Sequence, residues 1–97
     1  MRKYEAMFIL SPTLEEEKRK KELEGLKKFL TRKKAEIIKV ESLGRKRFSY
    51  PIEKFEEGEY VLFYFRSDPS VIKAVKDHIK HNRVILRSMF LVKEKEK

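Results

Sequence analysis

The chain has 97 residues, of which 40% are hydrophobic and 42% are charged, and it contains no Cys. This length fits one domain with one core, the share of apolar residues excludes a disordered tail, and the absence of Cys excludes disulfides and thiolate chemistry. Lys and Arg number 25 against 16 Asp and Glu, and the resulting net charge of +9 indicates a polyanionic partner, with nucleic acid as the leading candidate.

The first predicted strand runs from Arg2 to Leu10, because apolar residues recur there at every second position. One side of this strand carries Tyr4, Ala6, Phe8 and Leu10, and the other carries Glu5, Met7 and Ile9. Both sides are largely apolar, which indicates a central strand of a sheet.

The first predicted helix begins at Leu14. Thr13 is followed three residues later by Glu16, which has the form of a capping box that satisfies the first free N–H groups of a helix. An apolar stripe at helical spacing then follows in the later turns, formed by Leu23, Leu26, Phe29 and Leu30.

The second strand is predicted over Glu36 to Ile52, and it contains the most distinctive stretch of the chain, Leu43 to Ile52. Gly44 is the expected bulge, and Pro51 indicates a sheet edge because it donates no ladder hydrogen bond. A cationic run lies between them: Arg45, Lys46 and Arg47. A basic edge strand either faces a polyanionic partner or guards the edge against aggregation, and the residues alone favour neither.

A turn over Lys54 to Gly58 and a third strand over Glu59 to Arg66 come next. This strand is also apolar on both sides. Since helices cover only one side of the sheet in a two-layer domain, we expect an uncovered apolar side, called here the open face. Its predicted residues are Met7, Ile9, Tyr60, Leu62 and Tyr64.

The second predicted helix starts at Asp68-Pro69, with Asp at the N-cap and Pro in the first turn. Its buried stripe is Val71, Ile72, Val75 and Ile79. The last strand is predicted over Val84 to Lys93, and there Ile85, Arg87, Met89 and Leu91 share one side, with Arg87 expected on the open face. Residues 94–97 form a short polar tail.

The predicted element order is therefore β-α-β-β-α-β. Its simplest two-layer solution is an α+β, ferredoxin-like sandwich over residues 1–97, in which two helices back a four-stranded antiparallel sheet. Right-handed crossovers give the sheet order 4-1-3-2, which places the first and third strands at the centre.

Catalytic, metal and membrane signals are weak in this sequence. His78 and His81 are three residues apart, but exposed histidines are a better explanation than metal ligands, and we expect no cofactor and no small-molecule substrate. No apolar stretch approaches the roughly 20 residues that span a bilayer, and the run from Ala6 to Leu10 is too short for a secretory signal. We therefore expect a cytoplasmic protein that binds no membrane.

Two other families share the predicted topology. An acylphosphatase-like enzyme requires a Gly-rich anion loop between the first strand and the first helix, and that loop is missing. An RNA-recognition motif stacks bases on aromatic residues of its central strands. The stretch from Gly58 to Phe63 matches that signature only loosely, because Glu59 occupies an aromatic position and Glu57 the leading basic position.

A closer resemblance covers residues 1 to about 93. Met1 to Glu5, Leu43 to Ile52, the Gly58-x-Tyr60 segment and Arg87 to Met89 closely resemble the bacterial ribosomal protein S6 family. The resemblance implies a ferredoxin-like component of the small (30S) ribosomal subunit. It also implies binding to the central domain of 16S ribosomal RNA together with ribosomal protein S18 as heterodimer partner.

The candidate interface has two parts. The cations expected to neutralise RNA phosphates near the open face are Arg2, Arg45, Lys46, Arg47, Lys54 and Arg87, with Arg2, Arg47 and Arg87 favoured most. The apolar surface expected to receive the protein partner consists of Met7, Ile9, Tyr60, Leu62, Tyr64 and Met89. The alternative function is a free-standing RNA-binding or regulatory module that binds unpaired RNA through Tyr60 or Tyr64.

Overall fold

Four strands and two helices follow one another in the predicted order, β-α-β-β-α-β, in the computed structural model, which describes residues 2–93. The elements are β1 Arg2–Leu10, α1 Glu16–Arg32, β2 Glu36–Ile52, β3 Phe55–Ser67, α2 Ser70–Ile79 and β4 Ile85–Val92. The predicted bounds of the first two strands are confirmed. Met1 and the predicted tail, 94–97, lie outside the described residues.

The strands form one antiparallel sheet in the order β2-β3-β1-β4, which is the predicted order 4-1-3-2. The α+β ferredoxin-like fold class is therefore confirmed. The two strands predicted to be central from their two-sided apolar pattern, β1 and β3, are central, and β2 with its Pro51 lies at an edge.

The core lies between one side of the sheet and the two helices. Phe8 and Phe63 are almost fully buried there, and their rings meet edge to face with centroids 5.4 Å apart, a favourable aromatic geometry. Other buried core residues come from β1, β3 and both helices: Tyr4, Ala6, Leu10, Leu26, Leu30, Val61, Phe65, Val71, Val75 and Ile79. The apolar stripes predicted for the helices are the ones that face this core.

Both helices begin later than predicted, and neither has a side-chain N-cap. The hydroxyl of Thr13 is within 2.9 Å of the Ser11 hydroxyl, and the Thr13 N–H donates to Ser11 Oγ at 3.3 Å. These local hydrogen bonds replace the predicted capping box, and α1 begins at Glu16. At α2, Asp68 contributes its backbone carbonyl, which accepts from the N–H of Val71 at 3.0 Å.

The predicted turn from Lys54 to Gly58 is wrong, because β2 and β3 are joined by the two residues Glu53 and Lys54. Both have positive φ, 52° and 72°, as a two-residue type I′ hairpin turn requires. This turn matches the right-handed twist of the flanking strands, so that β3 begins already at Phe55. Gly58 therefore lies within β3.

Two bulges set which side chains face which layer. Gly44 has a φ of 88° at a register shift in β2, which confirms the predicted bulge. A second shift lies in β4, where Ile9 pairs with Arg87 but the next residue, Leu10, pairs with Ile85. The extra residue turns Ile85 into the core, where it is buried, and the prediction that Ile85 shares a side with Arg87 is wrong.

Candidate nucleic-acid and partner interface

The open face consists of rows of side chains that run across all four strands in the order β2, β3, β1 and β4. The pairing registers give one row of Gly44, Tyr60, Ile9 and Arg87. The next rows are Glu41, Leu62, Met7 and Met89, and then Lys39, Tyr64, Glu5 and Leu91. The register therefore brings together all six residues predicted to form the partner surface.

Apolar side chains on the open face remain accessible to a partner. Met89 is 52% exposed and Leu91 is 49% exposed, while Met7 and Leu62 beside them are half-buried. Leu91 was missing from the predicted partner residues, although its alternation with Met89 was visible in the sequence. An exposed apolar surface that spans several strands is typical of an interaction site.

Ile9 departs from the prediction because it is buried, with 8% of its surface exposed. The ring of Phe48, from β2, lies on the open face beside Tyr60, with ring centroids 6.2 Å apart. Gly58 allows this close packing, since a Cβ at that position would lie 2.7 Å from Ile9 Cγ2 and 2.9 Å from Phe48 Cζ. Ile9 and Phe48 therefore both pack against Gly58 at one end of the open face.

Tyr64 lies in a charged corner of the open face. The negative charges of Glu5 and Glu41 act on its hydroxyl, and Lys39 Nζ lies 5.4 Å from the centre of its ring. Partial burial, followed by the two negative charges, raises the pKa of Tyr64 above its ordinary value. The folded state therefore favours the neutral phenol, and the ring already has Lys39 as a neighbour within the chain.

Arg45 and Arg47 lie on the opposite side of the sheet from the open face. They pair with Glu59 and Glu57, which alternate with the open-face residues of β3. Arg45 donates to the carbonyl of Pro12 at 2.9 Å and also has two carboxylate contacts, to Glu57 at 3.6 Å and to Glu59 at 3.5 Å. These two arginines, predicted to contact RNA near the open face, therefore lie on its reverse side, because Lys46 between them lies on the open face and consecutive strand residues point to opposite sides.

The remaining predicted cations occupy different places. Lys46 and Arg87 are exposed on the open face at its two edges, and Lys54 is exposed in the hairpin turn. Arg2 is exposed but pairs with Ser67 and alternates in step with Tyr4, which assigns it to the helix side of the sheet. The six predicted cations therefore do not form one patch, because Lys46 and Arg87 lie on the open face, Lys54 lies in the turn, and the other three lie on the helix side of the sheet.

His78 has an aromatic partner on α1. The ring of His78 stacks on Phe29, with centroids 4.0 Å apart and planes at 15°, which accounts for its position on α2. In the part of the chain from 2 to 93, no three His, Cys, Asp or Glu side chains are grouped to hold a metal ion. Within the same range, neither helix has the length and apolar character that crossing a membrane requires.

Comparison with known proteins gives one consistent result. The family model described as ribosomal protein S6 matches residues 3–92. The chain is 42% identical to the small ribosomal subunit protein bS6 of Halalkalibacterium halodurans, over 99% of this chain and 100% of that protein. It is 41% identical to the protein of the same name from Shouchella clausii, over 90% of this chain and 92% of that protein.

A solved structure agrees with these sequence matches. The crystal structure of 30S ribosomal protein S6 from Thermotoga maritima superposes with a TM-score of 0.89 and 36% sequence identity, covering 94% of this chain and 86% of that one. Sequence and structure comparisons therefore lead to the same family.

Proposed function

Because this chain belongs to the ribosomal protein S6 family, we propose that it is a structural component of the small ribosomal subunit that binds the central domain of 16S ribosomal RNA together with ribosomal protein S18. It acts in the ribosome, in the cytoplasm. The relatives named above are ribosomal proteins, and none is named as an enzyme. The observation that carries the proposal is an apolar sheet face that the chain's own helices leave uncovered.

The open face suits a protein partner better than it suits RNA. Its middle row presents Leu62, Met7 and Met89, and duplex RNA offers no complementary apolar surface to them. The neighbouring carboxylates of Glu5 and Glu41 repel phosphates but attract a basic protein. S18 is therefore assigned to the apolar rows, with Met7, Tyr60, Leu62, Tyr64 and Met89 as contact residues and Ile9 as a buried support.

RNA is assigned to the predicted cations on both sides of the sheet and in the hairpin turn, where each phosphate contact releases counterions. Arg87, Lys46, Lys54 and Arg2 are exposed. Arg47 is 78% exposed, with one contact at 3.4 Å to the exposed carboxylate of Glu56. Exposed ion pairs of this kind are worth only about 0–1 kcal/mol, so a phosphate can replace the carboxylate at little cost. Arg45, held by its contacts to Pro12, Glu57 and Glu59, is the weakest candidate.

The alternative, a free-standing module that binds unpaired RNA, has less support. That function requires exposed aromatic rings on which bases stack. Lys39 lies over the ring of Tyr64, the negative charges of Glu5 and Glu41 act on its hydroxyl, and Tyr60 lies against Phe48. Both rings therefore already have neighbours within the chain, and the two carboxylates repel the backbone of an unpaired strand.

The test is binding of the purified chain to a central-domain 16S RNA fragment, with and without S18, over a salt series. We expect tight binding only when S18 is present. Binding of S18 should raise the affinity of the chain for the RNA, and by the same coupling free energy the chain should raise the affinity of S18. Arg87→Ala should weaken the ternary complex and lower the slope of log K against log salt by about 0.7–0.9, the value for one phosphate.

The opposite result would support the alternative function. In that case S18 changes nothing, unpaired RNA binds tightly to the chain alone, and Tyr60→Ala or Tyr64→Ala costs about 1–3 kcal/mol of RNA affinity. A matched control is Lys18→Ala. Lys18 is an exposed cation on α1 and is not among the residues of the candidate interface.

A further inference from the structure

Three cations outside the predicted interface, Lys76, Lys80 and Arg83, lie together with Arg87 of that interface in a groove along β4. One hollow of about 720 Å³ lies between the β2-β3 turn and the segment that connects α2 to β4, with Lys80, His81 and Arg83 among its lining residues. A neighbouring hollow of about 290 Å³ continues along β4 past Lys76 and Arg87. The two share Lys80, Ile85 and Leu86, so they form one continuous groove. Its four cations, Lys76, Lys80, Arg83 and Arg87, define the basic groove.

The wall of the basic groove is held in place by Asn82. Its side-chain amide donates to Glu22 of α1 at 2.8 Å, and its side-chain oxygen accepts from the Val84 N–H at 2.9 Å. The Val84 carbonyl in turn accepts from the Ser11 N–H at 2.8 Å. Lys80 and Arg83 are therefore presented by an ordered segment that is bonded to both layers of the fold.

The cations of the basic groove differ from the arginines of the hairpin in their partners. Arg45 and Arg47 contact carboxylates of β3. Within residues 2–93, none of the four groove cations forms an ion pair, and Lys76 has a ring contact only, with its Nζ 5.6 Å from the centre of Phe90. Glu53 is the one acidic residue among the described residues that line the two hollows.

The helix dipole explains part of this arrangement. Cations near the C-terminus of α2, such as Lys76 and Lys80, are favoured by the partial negative charge there. Arg83 lies beyond the helix and Arg87 lies on β4, so the dipole accounts for neither. A concave, ordered surface with an excess of uncompensated positive charge is the arrangement that binds a phosphate backbone.

We propose that the basic groove is a second RNA site, which binds the sugar-phosphate backbone of one RNA strand through Lys80 and Arg83 and joins the predicted site at Arg87. This inference rests on the proposed function, because the RNA is the ribosomal RNA of the same complex. The groove has no aromatic ring beside its cations other than Phe55 and His81, so it reads backbone and not sequence.

The experiment compares RNA binding by the full chain with S18 present, over a salt series, for four proteins. These are the wild type, the double variant Lys80→Gln/Arg83→Gln, the control Lys18→Gln/Lys20→Gln on exposed positions of α1, and Glu53→Gln. The double variant Lys80→Gln/Arg83→Gln should weaken RNA binding about tenfold and lower the salt slope by about 1.4–1.8, as expected for two lost phosphate contacts. The control should change the affinity by about twofold or less, because it removes the same charge without a contact.

Glu53→Gln should strengthen RNA binding about two- to threefold at low salt, since it removes the negative charge from the groove. This gain does not depend on whether the double variant folds. If the double variant binds RNA as the control does, or if Glu53→Gln gives no gain, the groove is not an RNA site, and an acidic protein surface becomes the better ligand. If the wild type fails to bind the RNA even with S18, the proposed function fails as well, so the two failures are distinguishable.

Discussion

Leu62 and Phe63 are neighbours on β3 and are both large apolar residues, yet they lie on opposite sides of the sheet. Phe63 is fully buried under the helices, whereas Leu62 is half-buried on the open face between Met7 and Glu41. The two helices are enough to cover one side only. One strand therefore carries two apolar sets: one is buried in the core, and the other is left uncovered by the helices and is the set that we propose receives a partner.

The two sides also differ in how polar groups are treated. On the helix side the rows across β3 and β1 are aromatic and aliphatic, with Phe8 and Phe63 in contact. On the open face the apolar row is flanked by Glu5, Glu41 and Lys39 around Tyr64. Charged groups beside exposed apolar residues keep such a surface soluble and give a partner its orientation.

Phe63→Ala should have the largest effect on stability. Removing a fully buried ring leaves a cavity in the core, and we expect a loss of about 3–5 kcal/mol in the free energy of unfolding. Denaturant unfolding measures this loss. The control is Leu62→Ala, which should cost about 1 kcal/mol or less because the side chain is already partly exposed. Equal losses at the two positions would contradict the assignment of separate roles.

Leu62→Glu should have the largest effect on partner binding. A charge in the central apolar row should lower the affinity for S18 about thirtyfold or more, as for a hot-spot residue worth at least about 2 kcal/mol. Calorimetric titration with S18 measures it. Thr31→Glu adds the same charge on an exposed part of α1 and should leave the affinity unchanged. If Leu62→Glu binds S18 as tightly as the wild type does, the open face is not the surface that binds S18.

Gly58→Ala tests how the end of the open face is closed. The new Cβ would lie 2.7 Å from Ile9 Cγ2 and 3.0 Å from the Leu10 carbonyl oxygen, so it must displace the packing, at a cost of about 1–3 kcal/mol in unfolding free energy. The control is Gly25→Ala in α1, where nothing lies within 4 Å of the new Cβ. That substitution should stabilise the chain by about 0.5–1 kcal/mol. If Gly58→Ala leaves the free energy of unfolding unchanged, Ile9 and Phe48 do not pack closely against Gly58.

Tyr64→Phe should have the smallest effect, confined to alkaline pH. The pKa of Tyr64 is raised in the folded state by burial and by Glu5 and Glu41, so the folded state favours the protonated phenol. This contribution to stability is fully present below about pH 10 and is lost as the pH rises through the raised pKa. Urea unfolding as a function of pH should therefore show a smaller alkaline loss for Tyr64→Phe than for the wild type. The same substitution at the exposed Tyr50 should keep the wild-type profile.

Much of the fold was predictable because period-two and helical patterns are local. The order of elements, the central position of β1 and β3, and the bulge at Gly44 followed from such patterns. The helix starts were not predictable in this way, since Ser11 and Thr13 bond to each other rather than to α1. The turn at Glu53 and Lys54 was missed because neither residue is Gly or Asn, the usual signals for positive φ.

The site was predicted less completely than the fold, for a physical reason. Ile9 and Phe48 are 39 residues apart in the chain, yet both lie next to Gly58, and only the strand registers bring them together. Arg45 and Arg47 were placed with Lys46 although consecutive strand residues point to opposite sides. The carboxylate partners of these arginines come from β3, and only the register identifies them.

The proposed binding of S18 to the open face is tested most directly by NMR, which maps the amide shifts of the ¹⁵N-labelled chain as S18 is added. We expect the largest changes on β1, β3 and β4 around Met7, Leu62 and Met89, whereas α1 and α2 should change little. Changes concentrated on the two helices, with the sheet unaffected, would show that the open face is not the partner surface.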